Sequence, residues 1–389
     1  MFKTGLITNS SDNILRHVVG ILSHTDLDGY GCEIVVRASS SDGSGIFDLD
    51  SQIMSSHVNY DKLNTLYVES WVNKLETHCS VNYDADFRET NPELRHSLYA
   101  IISDLNINSD IARFIRDYND SSNAIRIVVI DHHPQSPEVR EILQHDAYIV
   151  SEWVNDNGIK VPTCATKLVY QFMHELNDGV ISKNLMKRNE TLDDFVMRVN
   201  NWDTFITDIM ADHFTVNLND YLYLIGGDAF VTQALRVIRD NRGVNRIISK
   251  DVLEIIEHKH TAESHEIYDA ICCSFECPEV MPNEAHPSCR IIVSSKLNAT
   301  SVNLYLVDHD EHNRMPAFML FNPISGKTSF RSRGDIDASA IAKHFGGNGH
   351  KNAAGALIDC PETVATIMKQ YYSIMHMIKT GESAPFTLD

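Results

Sequence analysis

The chain has 389 residues, 43% hydrophobic and 22% charged, the balance of a globular protein with room for two or three domains. Its 53 acidic against 33 basic residues leave a formal charge of −20, which argues against long duplex DNA as a partner. No stretch reaches the roughly 18 consecutive apolar residues of a membrane helix, and the N-terminus MFKTGLITNSSDN lacks an apolar signal core, so a cytoplasmic protein without a membrane partner is expected.

HVVGILS (17–23) reads as a buried strand, and the Ser/Gly-rich ASSSDGSG (38–45) as a surface loop. A weaker strand signal at SQIMSSHV (51–58) precedes a helical pattern over 60–76. The stretch NYDADFRETNPELRH (82–96) suggests no role. LYAIIS (98–103), IRIVVI (125–130) and AYIVS (147–151) are further strands, with a helix over 109–120 between the first two. Alternating strand and helix signals predict an α/β fold, a doubly wound and mainly parallel sheet. Helical patterns then dominate from 162–176 to 244–271. A second set of strand signals follows at CRIIVSS (289–295), SVNLYLVD (301–308) and PAFMLFNP (316–323), with a helix over 337–345, as in a smaller α/β C-terminal domain.

Eight cysteines, mostly scattered singly, fit reduced thiols better than a disulfide framework. CCSFEC (272–277), near His258, His260 and His265, admits a zinc site, but a partly buried helix end is the better reading.

The chemistry gathers where the apolar runs end. VVGILS is followed by His24, Asp26 and Asp28; LYAIIS by Asp104; IRIVVI by Asp131, His132 and His133. A lone aspartate after a strand is usually a cap or turn residue. Three strand ends together aim their side chains at one crevice, where open α/β sheets bind ligands. Like charges so close need a cation between them. Carboxylates and imidazoles without cysteine suit Mn²⁺ or Mg²⁺, with Co²⁺ or Zn²⁺ as alternatives. So many ligands fit two ions about 3.5–4 Å apart, the common arrangement for phosphoester hydrolysis.

Residues 326–351 carry five bases, Lys327, Arg331, Arg333, Lys343 and Lys351, against Asp335 and Asp337, a local +3 in an acidic chain. Asp337 can cap a helix and Gly346 can end it. Gly346, Gly347 and Gly349 would then bring backbone amides to a phosphate, with His350 and Lys351 beside them. A glycine-rich turn with ordinary surface charges is the plainer alternative.

His24-x-Asp26-x-Asp28-Gly29, Asp104, Asp131-His132-His133 and the terminal GGNGHKNAAG resemble the DHH phosphoesterase superfamily with its DHH-associated C-terminal domain, most closely the NrnB-type oligoribonuclease and cyclic-nucleotide phosphodiesterase branch. The resemblance implies a DHH domain over 1–235, a helical linker over 236–284 and a substrate-binding domain over 285–389. It also implies a fourth-motif aspartate, best matched by Asp203 in RVNNWDTF, with Asp193, Asp194 and Asp208 close by. By the same resemblance, His24 and Asp26 would bind one Mn²⁺ (or Mg²⁺ or Co²⁺), Asp28, His132 and Asp203 a second, and Asp104 would bridge them. His133 would contact the scissile phosphate and Asp131 would orient the histidines. Arg331, Arg333, Gly346, Gly347, Gly349 and His350 would hold the substrate. Asn348 replaces a glycine usual in this loop, a change that left-handed backbone at asparagine would absorb. The implied function is Mn-dependent hydrolysis of short oligonucleotides to mononucleotides. A cyclic (di)nucleotide phosphodiesterase, a RecJ-like single-strand exonuclease and a non-catalytic nucleotide sensor are the alternatives. Inorganic pyrophosphatase, which shares the N-terminal motifs, ranks low because of the glycine-rich C-terminal stretch. A short oligonucleotide or cyclic nucleotide is the expected partner, with a homodimer left open.

Overall fold

The computed structural model of the protein describes residues 15–40, 53–82, 96–121, 125–154, 160–178, 189–206, 212–277, 280, 289–309, 315–334 and 336–380. Most of the stretch 38–45, all but the ends of 82–96, and Asp208 and Asp335 lie outside them. The chain divides into two compact units, one of residues 1–204 and 214–249, the other of 205–213 and 250–389.

The first unit is built on a five-stranded parallel sheet. Its strands are β1 (Leu15–Ser23), β2 (Met54–His57), β3 (His96–Ser103), β4 (Ile125–Asp131) and β5 (Ala147–Ile149), in the order β2-β1-β3-β4-β5. Apolar runs make β1, β3 and β4 because both faces are covered, whereas the edge strand β2, MSSH, is half-buried. Leu98, Ala100 and Ile102 of β3, with Ile127 and Val129 of β4, face one core with Trp71, Leu75 and Ile111. Their alternates Ile101, Val128 and Ile130 are buried as well. Helices α1 (Leu27–Ser40), α2 (Thr65–Asn82), α3 (Ser109–Asp120), α4 (Pro137–Leu143), α5 (Ala165–Asp178) and α6 (Glu190–Asp203) supply the layers. Helices α7 (His213–Ile225) and α8 (Gly227–Arg239) follow, and α1 packs against α5, α6 and α8.

The helix expected from residue 60 begins at Thr65 instead. Residues 59–63 form a turn, with Lys62 N donating to the Asn59 carbonyl and Leu63 N to that of Tyr60. Strand order reverses between β1 and β3, so a crevice opens beyond their carboxyl ends.

The second unit carries a mixed sheet of β8 (Cys289–Val293), β9 (Ala317–Phe321), β10 (Lys327–Ser332), β11 (Asn348–Gly349) and β12 (Ala353–Leu357), in the order β11-β12-β10-β9-β8. A short hairpin, β6 (Glu152–Val154) with β7 (Lys160–Pro162), lies between the sheets in sequence. One expectation is corrected here: SVNLYLVD is not a strand but part of helix α10 (Ala299–Asp308). Because β8 and β9 are parallel, they need a crossover between them, and α10 supplies it. The Asn298 side chain caps its start by accepting from Thr300 N. A short apolar run has the same hydropathy in a buried strand as in a buried helix.

Helix α9 (Lys250–Cys272) ends at the cysteine cluster, and Cys277 is buried in the apolar core of this unit. Helices α11 (Ala338–His344) and α12 (Pro361–Thr380) complete the unit. Among the described residues, no helix is long and apolar enough to cross a membrane.

Candidate metal centre

Eight of the acids and histidines singled out in the sequence converge in the first unit. After β1 the chain enters α1 through Asp26, whose Oδ1 accepts from Gly29 N at 3.0 Å while Oδ2 lies 2.8 Å from His24 Nδ1. Asp104 follows β3 in left-handed backbone at φ 56°, a conformation that aspartate adopts at a cost of about 1 kcal/mol. Asp131 closes β4, and His132 and His133 come directly after it. Asp203 is the last residue of α6, at the end where the helix dipole disfavours a carboxylate.

The ligand atoms of His24, Asp26 and Asp104 lie within 4.8 Å of one another, and so do those of Asp104, Asp131, His132 and His133. Asp104 is common to both groups. His132 Nε2 stands 3.5 Å from Asp104 Oδ1, 3.4 Å from Asp203 Oδ2 and 3.8 Å from Asp28 Oδ2. Asp28, Asp104, Asp131 and His132 are each at most 1% exposed, a burial that isolated charges do not tolerate.

Asp131 turns toward the histidines. Its Oδ1 lies 2.9 Å from His133 Nδ1 and accepts from His132 N at 2.8 Å, while Oδ2 accepts from Gln135 Nε2 at 2.6 Å. Burial penalises its charge, yet the His133 bond and the two imidazoles hold its carboxyl below the usual range. Burial likewise works against the His133 cation, but Asp131 outweighs it and the imidazole is pushed up to about 9. The opposite holds for Asp104: burial, then the charges of Asp26, Asp28 and Asp203, drive its pKa far up. Asp203 is raised to about 7, chiefly by burial. Neighbouring acids forced toward protonation mark a place short of positive charge.

Asp104 Oδ2 and Asp203 Oδ2 are buried and accept no hydrogen bond from a described residue. Such carboxylates, with imidazoles and no thiolate among them, fit a hard or borderline divalent ion. The residues therefore suit the metal that the motifs imply.

Asp28 has a second task that the sequence did not suggest. Its oxygens accept from Ala165 N and Thr166 N, each at 2.8 Å, so it caps α5. Each oxygen keeps a lone pair for another partner. Sequence reading also passed over Gln135 and Tyr60. Tyr60 is a lone aromatic in a polar turn, and no motif marks it.

The remaining candidates lie in the second unit. The Arg331 guanidinium stands 5.4 Å over the Phe205 ring, and the His350 ring lies beside it with centroids 5.7 Å apart. Arg331 also donates to Thr300 Oγ1 and Arg333 to Asn303 Oδ1. Asp337 caps α11 as expected, accepting from Ser339 N and Ala340 N.

The glycine loop differs from expectation in its amides. Gly346 N and Gly347 N donate to carbonyls of α11, Gly349 N to Asn348 Oδ1 and His350 N to the Ala353 carbonyl. These amides are engaged, so the loop offers side chains rather than N–H groups. Positive φ falls on Gly346 and Gly349, not on Asn348, which pairs with Gly355 in the β11–β12 ladder. A Cβ on Gly347 would lie 2.1 Å from the Gly355 carbonyl oxygen. Gly347→Ala should therefore destabilise the protein by about 1–3 kcal/mol, read by urea denaturation; an unchanged midpoint would mean that the loop yields freely.

No family model matches the chain. Among curated proteins it is similar to oligoribonuclease NrnB of Bacillus subtilis, 24% identical over 340 residues, covering 87% of this chain and 72% of that protein. It is also similar to a 3′,5′-cyclic-nucleotide phosphodiesterase of Helicobacter pylori, 22% identical over 87% of this chain and 92% of that one. A solved structure of PggH, a pGpG-specific phosphodiesterase of Vibrio cholerae, aligns over 92% of this chain and 99% of its own at 12% identity, with a TM-score of 0.47. A doubly wound sheet ending in an acid and histidine centre is thus joined to a likeness, along most of the sequence, to curated proteins named as an oligoribonuclease and a phosphodiesterase. These relatives agree with the likeness of the sequence motifs to the DHH phosphoesterases.

Proposed function

We propose that this protein is a divalent-metal-dependent phosphodiesterase that hydrolyses short oligonucleotides to mononucleotides. The observation that carries the proposal is the convergence of Asp104 with both His24–Asp26 and Asp131–His132–His133 at the ends of β1, β3 and β4. Two ions are the arrangement we favour, with Mn²⁺ first and Mg²⁺ or Co²⁺ as substitutes. His24 and Asp26 would hold one, and Asp28, His132 and Asp203 the other. Asp104, common to both ligand groups, would bridge. Bound there, such ions polarise a phosphoryl oxygen and lower the pKa of water toward neutrality.

The remaining work falls to the protein. Asp131 fixes the His133 ring through Nδ1 and favours its cation, whose positive charge would attract a phosphate. Gln135 in turn holds the other oxygen of Asp131. In the second unit, which we read as the substrate-binding domain, Arg331 and His350 would engage a nucleotide through charge, with Phe205 as a stacking face and Gly346, Gly347 and Gly349 shaping the loop. Arg333 would assist. The formal charge of −20 favours short substrates, because a long polyanion would be repelled. The eight cysteines, mostly scattered singly along the sequence, suit reduced thiols and support a cytoplasmic setting.

The relative matched over the larger share of its own length is named a cyclic-nucleotide phosphodiesterase, and this favours a second reading, cleavage of cyclic (di)nucleotides. Hydrolysis of a panel with added Mn²⁺ separates the two. A dinucleotide, a five-residue RNA, the matching DNA, a cyclic dinucleotide, a 3′,5′-cyclic mononucleotide and pyrophosphate would be compared. Mononucleotide release from the linear RNAs is expected. Turnover of cyclic compounds alone would move the function to second-messenger breakdown, and no turnover at all would refute the enzyme.

A further inference from the structure

One side chain outside every motif touches all three strand-end segments of the centre. Tyr60 lies in the turn after β2. Its hydroxyl donates to the Asp104 carbonyl at 3.3 Å and stands 3.5 Å from His133 Nε2. Its ring lies 4.5 Å from that of His24, tilted by 32°, and presents an edge contact to His133 at 6.1 Å. The turn is itself tied down: Val58 N donates to the Ser23 carbonyl at 2.9 Å, and Thr25 Oγ1 donates to Asn59 Oδ1. Yet Tyr60 is 43% exposed, so packing alone does not explain its place.

We propose that Tyr60 is a positioning residue of the centre, holding His133 and the Asp104 backbone through its hydroxyl and backing His24 with its ring. The argument rests on the phosphodiesterase reading for what is being positioned, but not for the contacts. Asp104 adopts left-handed backbone, and the Tyr60 hydroxyl restrains the carbonyl of that same residue. His133 is fixed at Nδ1 by Asp131, which leaves rotation about that bond; a partner near Nε2 removes it. His24 is held by Asp26 on one edge, and the aromatic face of Tyr60 limits its tilt. Groups that orient metal ligands without binding the ion commonly change affinity or activity about 10- to 100-fold when removed.

Two variants separate the hydroxyl from the ring. Tyr60→Phe should lower kcat for the preferred substrate about tenfold with KM within about twofold, at an unchanged melting temperature. Tyr60→Ala should in addition weaken Mn²⁺ binding to the metal-free protein about tenfold, read by calorimetric titration. Wild-type kcat in Tyr60→Phe, or a raised KM at unchanged kcat, would overturn the role of the hydroxyl, the latter because it describes a plain substrate contact. Unchanged Mn²⁺ affinity in Tyr60→Ala would overturn the support of His24. The titration needs no substrate. If the wild-type enzyme cleaves nothing, the phosphodiesterase reading fails, while the affinity of Tyr60→Ala still decides whether Tyr60 positions the centre.

Discussion

Asp104→Asn should lower phosphodiester hydrolysis at least about 1,000-fold and, in the same protein, raise the melting temperature measured without metal. Both effects come from one carboxylate. Asp104 is buried against Asp26, Asp28 and Asp203, and their shared repulsion drives its pKa upward. Asparagine keeps the size and tolerates the left-handed backbone at φ 56°, so the substitution removes charge and leaves the turn in place. Without metal, folding must protonate this carboxyl or bury its charge beside like charges, and asparagine removes that cost. With metal, the carboxylate common to both ligand groups is gone. Asp104→Ala would confuse the two effects, because alanine is strained at positive φ. Activity within about tenfold of wild type, measured at saturating Mn²⁺, would remove Asp104 from the centre.

Metal should stabilise the protein more strongly at pH 8 than at pH 5.5. Asp203 is raised to about 7 and Asp104 moves in the same direction. An acid whose folded pKa exceeds its ordinary value favours the fold while protonated, and loses that contribution as pH rises through the folded value. His133 acts in the same direction. Raised to about 9, it contributes fully below its ordinary 6.5 and progressively less as pH rises through 9. Metal-free protein is thus weakened by these groups between pH 5.5 and 8. A divalent ion reverses the effect for the acids, and it competes with fewer protons at the higher pH. At about 100 times its Kd, free Mn²⁺ contributes about 2.7 kcal/mol, or about 5–10 °C in melting temperature for a unit of this size. At pH 5.5 the shift should shrink to about 2 °C or less. Thermal melts with Mn²⁺ against EDTA test this, and equal shifts at the two pH values would show that the acids are not the ligands.

Much of the centre was legible because its residues obey a simple rule of parallel sheets. An apolar run followed by acids reads as a strand whose carboxyl end faces a crevice, and β1, β3 and β4 all follow that pattern. Asp203 was harder to place. It ends a helix instead of following a strand, and several aspartates lie close to it in sequence, so only the fold brings it within 3.4 Å of His132. Helix α10 was misread because the seven or eight apolar-rich residues of a crossover carry no mark of their partner strands. The glycine loop was legible as a bend but not as a ladder, since hydrogen bonding between Asn348 and Gly355 depends on register. Tyr60 and Gln135 left no trace at all, because what they do depends wholly on neighbours distant in sequence.

The hold of Asp28 on α5 bears on the order in which the molecule can be made. Asp28 and the amides it caps are 137 and 138 residues apart. During synthesis the first motif emerges early, yet its carboxylate has no cap until the start of α5 has left the ribosome. Asp203 emerges later still. For much of translation the nascent chain thus carries a half-built cluster of acids, and the pocket closes only when its latest contributors arrive.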